Sequence, residues 1–354
     1  MIKTYTYKLK PNKSIERKFN EWCGITRFVY NCAKDLSEQS YKKGVSLSGF
    51  DICNQLVPAK KEILWLNKVH SQTLQAVIER YCTSLKKFFK GSGYPKWATK
   101  RKWKSIPFKS IKTTHNAFKL PMFGVVKVFN FKVPNGILKT ATIIREADGL
   151  YLKIVVKKED IAEVENQNIC GIDMGIKYFL TTSDGVFVEN PKHLFKKISK
   201  LRIENRHLSR MKKGGKNFYK QVNQLQRLYQ KVSRTRKDFL HKESRKLANE
   251  YGTVIRENLK IKGMSKNSKL SKHILDCGWG GFFQMLEYKT KVIKVDAKYT
   301  SQQCNKCQHT CKENRKTQSL FECVKCGHID NADLNATFNI LQRGQSLIEA
   351  NLSH

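Results

Sequence analysis

The stretch Gly171-Ile172-Asp173-Met174-Gly175-Ile176-Lys177 decides the fold of this chain, because it places one carboxylate between two glycines after an apolar lead-in. The next run, Tyr178–Thr182, consists of strand-forming residues, and Ser183-Asp184-Gly185 is typical of a hairpin turn. We therefore expect Asp173 on a strand whose neighbour follows at once. Glycine lets another backbone come close, which suits an Asp that holds a metal against a phosphate. An ordinary Asp in a turn would leave the same pattern.

The charge of the chain is extreme. Its 354 residues include 68 Lys and Arg but only 29 Asp and Glu, a formal net charge of +39, and 40% of them are hydrophobic. That length allows two or three domains, and that charge favours a polyanionic partner, usually nucleic acid. A basic protein of a membrane surface is the alternative. However, the sequence has no run of 18 apolar residues and its N-terminus lacks a signal-peptide core, so we expect a cytoplasmic protein.

The N-terminal part of the chain alternates between strand and helix patterns. Residues 2–9 read as a strand, two helical runs follow between residues 14 and 90, and residues 106–157 return to strand patterns. We therefore predict a small antiparallel β-barrel, formed by residues 1–10 and 105–165, with a helical module of residues 11–104 inserted into it.

The segment from Tyr94 to Lys104 interleaves five cations with three aromatic residues. Cations neutralise phosphates and aromatic rings stack on bases, so the mixture favours a nucleic-acid clamp over a flexible basic linker. The candidate contacts in this segment are Tyr94, Lys96, Trp97, Lys100 and Arg101.

The C-terminal half contains a long basic helical region and further carboxylates. Residues 192–250 are helical, and the break at Lys212–Lys216 favours a hairpin over an intermolecular coiled coil. Thr253–Leu259 is a short apolar strand pattern that carries Glu257. A last helix begins close to Asp330 and Asp333.

Four of the 11 cysteines form two pairs, Cys304-x-x-Cys307 and Cys323-x-x-Cys326, separated by 15 residues. This spacing is typical of a zinc ribbon, in which four thiolates hold one structural Zn²⁺ and leave no open position for chemistry. Buried thiols without metal are the less favoured alternative. Cys311 is a spare thiol, and His328 could replace a ligand.

Three carboxylates at strand ends or helix starts could share a second metal site: Asp173, Glu257 and either Asp330 or Asp333. Mg²⁺ prefers oxygen ligands and takes some of them from phosphates. Two such ions stabilise the attacking and leaving oxygens in phosphodiester hydrolysis.

These motifs resemble the TnpB family, transposon-encoded RNA-guided nucleases related to type V CRISPR effectors, over nearly the whole length. The resemblance rests on the ordered set Gly171–Gly175, Glu257–Met264, Tyr299–Gln302 and Cys326-Gly327-His328 with Asp333–Ala336. Ser71–Gln75 and Tyr94–Trp97 resemble weaker N-terminal features of the family, which adds Gln72 and Gln75 to the candidate nucleic-acid contacts.

The resemblance implies an α/β multidomain protein with an RNase H-like (RuvC) nuclease domain, residues 168–300 and 328–354, and an inserted zinc ribbon, residues 301–327. It assigns the catalytic and Mg²⁺-binding roles to Asp173, Glu257 and Asp333, with two Mg²⁺ expected and Mn²⁺ as a substitute. It also implies that the barrel, of wedge type, and the helices hold a guide RNA. The chain departs from the family at Asn258, where Asp is usual, and it is short.

The sequence thus predicts an RNA-guided DNA endonuclease that cuts double-stranded target DNA next to a short flanking motif. Two other functions use the same features: an RNA-guided DNA-binding repressor without cleavage, and a transposase-type strand transferase. From the resemblance we expect a prokaryotic, nucleoid-associated protein. Whether it forms a homodimer is left open.

Overall fold

The computed structural model describes residues 2–158, 166–266 and 268–352. The chain forms two compact units, Met1–Ala162 and Glu163–His354. Residues 160–167 are acidic and polar, a composition that predicts a linker, and this segment lies outside the described residues apart from its last two. Among the described helices, none has the length and apolar character needed to cross a membrane.

The first unit combines helices and strands in the order that the sequence patterns predict, with two additional short helices. Its elements are β1 (Ile2–Lys8), α1 (Lys13–Lys42), α2 (Gly49–Asn54), α3 (Leu56–Glu62), α4 (Ser71–Phe88), β2 (Ser105–Phe108), β3 (Lys112–Thr114), β4 (Ala117–Leu120), β5 (Gly124–Lys127), β6 (Ile137–Glu146) and β7 (Gly149–Lys157).

The strands of the first unit form two antiparallel sheets, in the orders β1-β7-β6-β2 and β3-β4-β5. A bridge between Leu9 and Val128 links the end of β1 to the continuation of β5. Helix α1 begins after Asn12, whose side chain accepts the backbone N–H of Ile15 at 2.8 Å, a typical N-cap. Residues of α1 and α4 share one hydrophobic core with the four-stranded sheet, so the helices pack on the sheet that surrounds them in the sequence.

The second unit contains a mixed sheet, long helices and a small hairpin. Its elements are β8 (Ile169–Asp173), β9 (Tyr178–Thr182), β10 (Phe187–Glu189), α5 (Ile198–Arg210), α6 (Lys216–Glu250), β11 (Thr253–Glu257), α7 (Ile261–Met264), α8 (Ser268–Cys277), α9 (Trp279–Glu287), β12 (Lys291–Val295), β13 (Leu320–Glu322), β14 (Ile329–Asn331) and α10 (Ala332–Leu352).

The main sheet of this unit has the order β10-β9-β8-β11-β12. Strands β8, β9 and β10 are antiparallel neighbours, whereas β11 runs parallel to both β8 and β12. Side chains alternate between the two faces of a strand. Ile172 and Val254 therefore share the face that packs in one core with residues of α6 and α9. The opposite face carries Gly171 and Ile255 and is covered by α10.

Glycine permits the close approach of α10 to this second face. A Cβ on Gly171 would lie 2.5 Å from the carbonyl oxygen of Thr337 and 2.9 Å from the Cβ of Leu341. A Cβ on Gly344 of α10 would lie 2.3 Å from the Cδ1 of Ile255. Real Cβ atoms do not tolerate such distances, so one glycine of the sheet and one of the helix fix how closely the two layers pack.

This packing predicts that Gly171→Ala lowers the free energy of unfolding by about 1–3 kcal/mol, because the added methyl must displace backbone atoms of α10. Denaturant unfolding measures the change. Gly280→Ala in α9 is the matched control, since its Cβ would meet nothing closer than 3.8 Å, and alanine in a helix should stabilise it by about 0.5–1 kcal/mol. A Gly171→Ala protein as stable as the wild type would contradict the close approach.

Candidate functional site

Asp173 and Glu257 lie side by side at one edge of the mixed sheet. They end the parallel neighbours β8 and β11, and the last registered pair of these strands, Ile172 with Arg256, directly precedes them. Neighbouring strands are about 4.8 Å apart. Both carboxylates therefore leave the carboxyl end of the sheet in adjacent positions, as the sequence predicts.

Asp333 reaches the same edge from the first turn of α10. Gly171 of β8 packs against Thr337 of α10. Asp333 lies about one helical turn before Thr337 on α10. Asp173 lies two residues after Gly171, on the same face of β8. The contact that brings the helix onto the sheet thus also brings the third acid to the first two.

The electrostatics of Asp173 agree with this placement of the three acids. The pKa of Asp173 is raised from 3.8 to about 7, first by burial and then by the negative charges of Glu257 and Asp333. Burial also raises the pKa of Glu257 and that of Asp333. Three carboxylates in this state repel one another, and a bound cation would remove that repulsion.

Three cations partly oppose this negative charge: Arg343, which lowers the pKa of Glu257, and Arg315 and Lys177, which act on Asp333. Arg315 donates to Asp333 Oδ1 at 3.4 Å, and its guanidinium and Lys177 both lower the pKa of Asp333. The sequence reasoning missed Arg315, which lies between the two cysteine pairs and carries no motif of its own. Lys177 lies in the stretch around Asp173, but no role was predicted for it.

Asp330, the other candidate for the third acid, is placed differently. It lies on β14 opposite Phe321, and its Oδ2 lies 3.6 Å from His328 Nε2. Its second oxygen accepts the backbone N–H of Asn331 at 2.7 Å. The geometry therefore favours Asp333, rather than Asp330, as the partner of Asp173 and Glu257.

The four paired cysteines form a compact cluster. All their sulfur atoms lie within 4.8 Å of one another, with 3.7 Å between Cys304 and Cys326 and 3.6 Å between Cys307 and Cys323. Tetrahedral Zn²⁺ with Zn–S bonds of about 2.3 Å separates its sulfurs by about 3.8 Å. The cluster thus fits one structural zinc ion.

Both cysteine pairs are held by the same type of turn. The N–H of Cys304 bonds to the carbonyl of His309 at 3.0 Å, and that of Cys323 bonds to the carbonyl of His328 at 2.9 Å. Gln308 and Gly327, which follow the second cysteine of each pair, both have positive φ. Each turn therefore directs its two sulfurs toward the same point.

Cys311 and His328 do not belong to the cluster. The Cys311 thiol donates to Glu313 Oε2 at 2.6 Å, and His328 faces Asp330. In the part of the chain that is described, the four cysteines are the one group of three or more His, Cys, Asp or Glu with ligand atoms this close. The three carboxylates are more widely spaced, which a site for two ions about 3.5–4 Å apart allows.

In the first unit, helix α1 holds the predicted clamp segment in place. Asn31 donates to the carbonyl of Ala98 at 3.1 Å and accepts its N–H at 2.8 Å. The buried Lys34 ammonium, which is paired with Glu38, lies 4.8 Å from the ring centre of Tyr94 and 4.5 Å from that of Trp97. The segment is therefore anchored, unlike a flexible linker.

The predicted nucleic-acid contacts of the first unit are accessible to a partner. Tyr94 is 41% exposed and Trp97 is 50% exposed, so each ring keeps surface for stacking. The polar candidates are the exposed Lys96, Lys100 and Arg101, together with Gln72 (exposed) and Gln75 (half-buried) in the first two turns of α4.

The hairpin of α5 and α6 carries a basic groove that the sequence did not predict as a site. Its volume is about 470 Å³. It is lined by Lys200, Lys220, Asn223, Gln224, Arg227, Leu228 and Lys231. Such a surface suits a phosphate backbone.

Comparison with known protein families gives three matches. Residues 153–268 match the OrfB_IS605 family, described as "Probable transposase". Residues 279–340 match "Cas12f1-like, TNB domain", and residues 1–45 match the helix-turn-helix domain of OrfB_IS605. The two larger matches cover the segments that contribute the acids and the cysteines.

Curated relatives match along the whole chain. A protein of Escherichia coli (strain K12) named "Putative RNA-guided DNA endonuclease InsQ" is 29% identical over 98% of this chain and 93% of its own length. A "Putative RNA-guided DNA endonuclease" of Streptomyces pristinaespiralis is 27% identical over 97% of this chain and 89% of its own. A solved structure, "Cryo-EM structure of the Cas12f1-sgRNA-target DNA complex", aligns over 96% of this chain and 99% of that chain, with 19% identity and a TM-score of 0.36.

The molecule is thus an α/β multidomain protein with transposon-type domains and a four-cysteine cluster. It carries the domains of the OrfB_IS605 TnpB family, as its sequence motifs predict, and its full-length relatives are named as RNA-guided DNA endonucleases.

The cluster geometry predicts one zinc ion per chain. Cys304→Ser or Cys323→Ser should lose this zinc and unfold the ribbon, because three thiolates bind it far less tightly. Cys311→Ser is the matched control and should keep the zinc, since its thiol bonds to Glu313 instead. Elemental analysis of the purified proteins measures the ratio, and zinc-free wild-type protein would contradict the assignment.

Proposed function

We propose that the chain is an RNA-guided, Mg²⁺-dependent DNA endonuclease. The observation that carries this proposal is the meeting of Asp173, Glu257 and Asp333, from three distant parts of the sequence, at one edge of the mixed sheet. The named function of the E. coli and Streptomyces relatives, which match nearly the full chain, supports it.

The fold supports the finer features of this proposal. A mixed five-stranded sheet, with acids at the carboxyl ends of two parallel strands and on a covering helix, suits the RNase H-like (RuvC) domain that the family resemblance implies. The hairpin of β13 and β14 with the cysteine cluster suits the inserted zinc ribbon. The two linked antiparallel sheets of the first unit suit the proposed barrel.

Asp173, Glu257 and Asp333 would hold the Mg²⁺ ions, because burial and mutual repulsion leave these carboxylates in need of a cation. When bound, Mg²⁺ activates a water and stabilises the charge that develops on the phosphate oxygens. Arg315 and Lys177 lie at the same site. Their positive charges would attract the scissile phosphate and hold it beside the acids.

The nucleic acids would be held by the basic surfaces of each unit. In the first unit, Tyr94 and Trp97 stack on bases while Lys96, Lys100 and Arg101 contact phosphates. Gln72 and Gln75 of α4 add hydrogen-bonding groups that could read base edges of the flanking DNA motif. In the second unit, the groove of α5 and α6 contacts the backbone of the RNA or DNA. Sequence choice then comes from pairing with the guide RNA.

The first test is guided cleavage. RNA that copurifies with the protein is sequenced, and double-stranded DNA that matches segments of it is offered with Mg²⁺. Mutation of a residue that only orients a metal ligand typically lowers activity by about 10–100-fold. Asp173→Ala, Glu257→Ala and Asp333→Ala should each reduce the cleavage rate by more than this. All three should still bind the guided target.

Asp330→Ala is the matched control for these acids, because Asp330 faces His328, and it should cut. A wild-type complex that binds its target but never cuts it would indicate the guided repressor. A protein without bound RNA that joins DNA strands would indicate the transposase. Near-normal cutting by any of the three acid variants would remove that residue from the site.

The second test concerns the clamp segment and uses salt dependence. Replacing Lys96, Lys100, Arg101 and Lys102 by Gln should weaken RNA binding. It should also reduce the slope of log affinity against log salt by about 0.7 for each single-strand phosphate that is no longer neutralised by a cation. Trp97→Ala should cost about 1–3 kcal/mol of binding free energy with an unchanged slope, because stacking releases no counterions.

Tyr41→Ala is the control for the stacking test, since Tyr41 is a 76% exposed aromatic at the end of α1 and outside the segment. It should bind RNA as the wild type does. If neither the fourfold Gln replacement nor Trp97→Ala changed the affinity, the segment would not touch the RNA and the guide would be held elsewhere.

A further inference from the structure

The residues just before the first cysteine pair contact one of the three acids. Thr300 is 2% exposed, and its hydroxyl forms a hydrogen bond with Glu257 Oε1. The hydroxyl oxygen of Thr300 also lies 3.1 Å from the carbonyl oxygen of Ala297. The bond from Thr300 lowers the pKa of the Glu257 carboxyl, against the rise caused by burial.

Two buried asparagines of α10 hold the Thr300–Asn305 segment against this helix. The amide of Asn339 donates to the carbonyl of Thr300 at 2.9 Å and to that of Gln303 at 2.7 Å. One helical turn earlier, Asn335 donates to the same Gln303 carbonyl at 2.8 Å. Asn335 is 0% exposed and Asn339 is 2% exposed, so these bonds are shielded from competing water.

The same helix also holds the cysteine cluster. Asn305, between Cys304 and Cys307, donates its backbone N–H to Asn335 Oδ1 at 3.0 Å. Asn335 lies two residues after Asp333 on α10. The Thr300–Asn305 segment is therefore hydrogen-bonded to Glu257 at its start and enters the first cysteine turn at its end. Asn335 and Asn339 of α10 hold it between these two points.

Given the proposed function, on which this inference rests, we propose that Thr300 is a positioning residue that orients the Glu257 carboxylate for metal binding. Asn335 and Asn339 fix it in place by holding the Thr300–Asn305 segment on α10. The motif Tyr299-Thr300-Ser301-Gln302 and the asparagines after Asp333 then have a common purpose. They connect the zinc ribbon to the acids, so that the ribbon stabilises the site without taking part in the chemistry.

A hydrogen bond of this kind matters because a carboxylate with free rotation must give up that freedom each time it binds an ion. Residues that orient a ligand from behind typically change metal affinity by about 10–100-fold when they are mutated. Removal of the Thr300 hydroxyl should therefore weaken metal binding, while the folded structure and the zinc cluster stay intact.

The test compares Thr300→Val, which keeps the shape but removes the hydroxyl, with Thr300→Ser, which keeps it. Both are made in the full-length chain. The first measurement is the dissociation constant for Mn²⁺, the probe ion, by electron paramagnetic resonance without nucleic acid. The second is the Mg²⁺ concentration that gives half-maximal guided cleavage. We expect both constants to rise by at least about tenfold in Thr300→Val and to return to within a few-fold of wild type in Thr300→Ser.

Thr182→Val is the matched control, because Thr182 is also 2% exposed in the same unit but its hydroxyl accepts the N–H of Val186 at 3.1 Å. This change removes a buried hydroxyl without touching a carboxylate, so the Mn²⁺ affinity should be that of the wild type. Zinc content and thermal midpoint are recorded for every variant. Asn339→Ala, which keeps Thr300 but removes two bonds of the segment, should weaken Mn²⁺ binding in the same direction.

The outcomes separate this inference from the proposed function. Unchanged Mn²⁺ affinity in Thr300→Val, or no recovery in Thr300→Ser, overturns the positioning role even if the wild type cuts DNA. A wild type that cuts no DNA overturns the proposed nuclease. The Mn²⁺ comparison still decides whether Thr300 orients Glu257, because it needs no cleavage.

Discussion

The close packing of α10 on the mixed sheet is the interaction on which the candidate site depends. Gly171 and Gly344 remove the side chains that would hold the two layers apart, and this packing places Asp333 beside Asp173 and Glu257. Gly171 therefore has a structural purpose that its position two residues before Asp173 does not reveal. A larger residue there would move one acid away from the other two.

The arrangement has an electrostatic cost that the rest of the second unit offsets. Crowding and burial raise the pKa values of the acids, whereas Arg315 from between the cysteine pairs and Lys177 supply nearby positive charge. Asn335 and Asn339 fix the segment that leads into the cysteine cluster. The segment that leads into the four-cysteine cluster thus supports a group of mutually repelling carboxylates. The net charge of +39 favours a polyanionic partner for this chain.

Short-range patterns made much of this predictable. Strand periodicity and turn residues predicted Asp173 and Glu257 at strand ends, and cysteine spacing alone predicted the cluster and excluded Cys311. The residue pattern alone left Asp330 and Asp333 open, and the family resemblance favoured Asp333. Tertiary contacts separate the two, because Asp330 lies on β14 whereas Asp333 lies in the first turn of α10. Arg315 and Thr300 contact acids that are distant in the sequence. No hydrophobic periodicity around either residue indicates these contacts. The short helices α2 and α3 were missed for a similar reason, since neither is long enough to show a periodicity.

The central claim, that the three acids form a cation site held together against their own repulsion, is tested most directly by thermal unfolding with and without Mg²⁺ at pH 8. The pKa of Asp173 is about 7 in the folded chain and 3.8 without the surrounding structure, so stability is lost as the pH rises between these two values and the full loss is present at pH 8. Asp173→Asn should therefore unfold at a higher temperature than the wild type without Mg²⁺, and Mg²⁺ should raise the midpoint of the wild type much more than that of the variant. Equal midpoints without Mg²⁺ and equal responses to it would contradict the account.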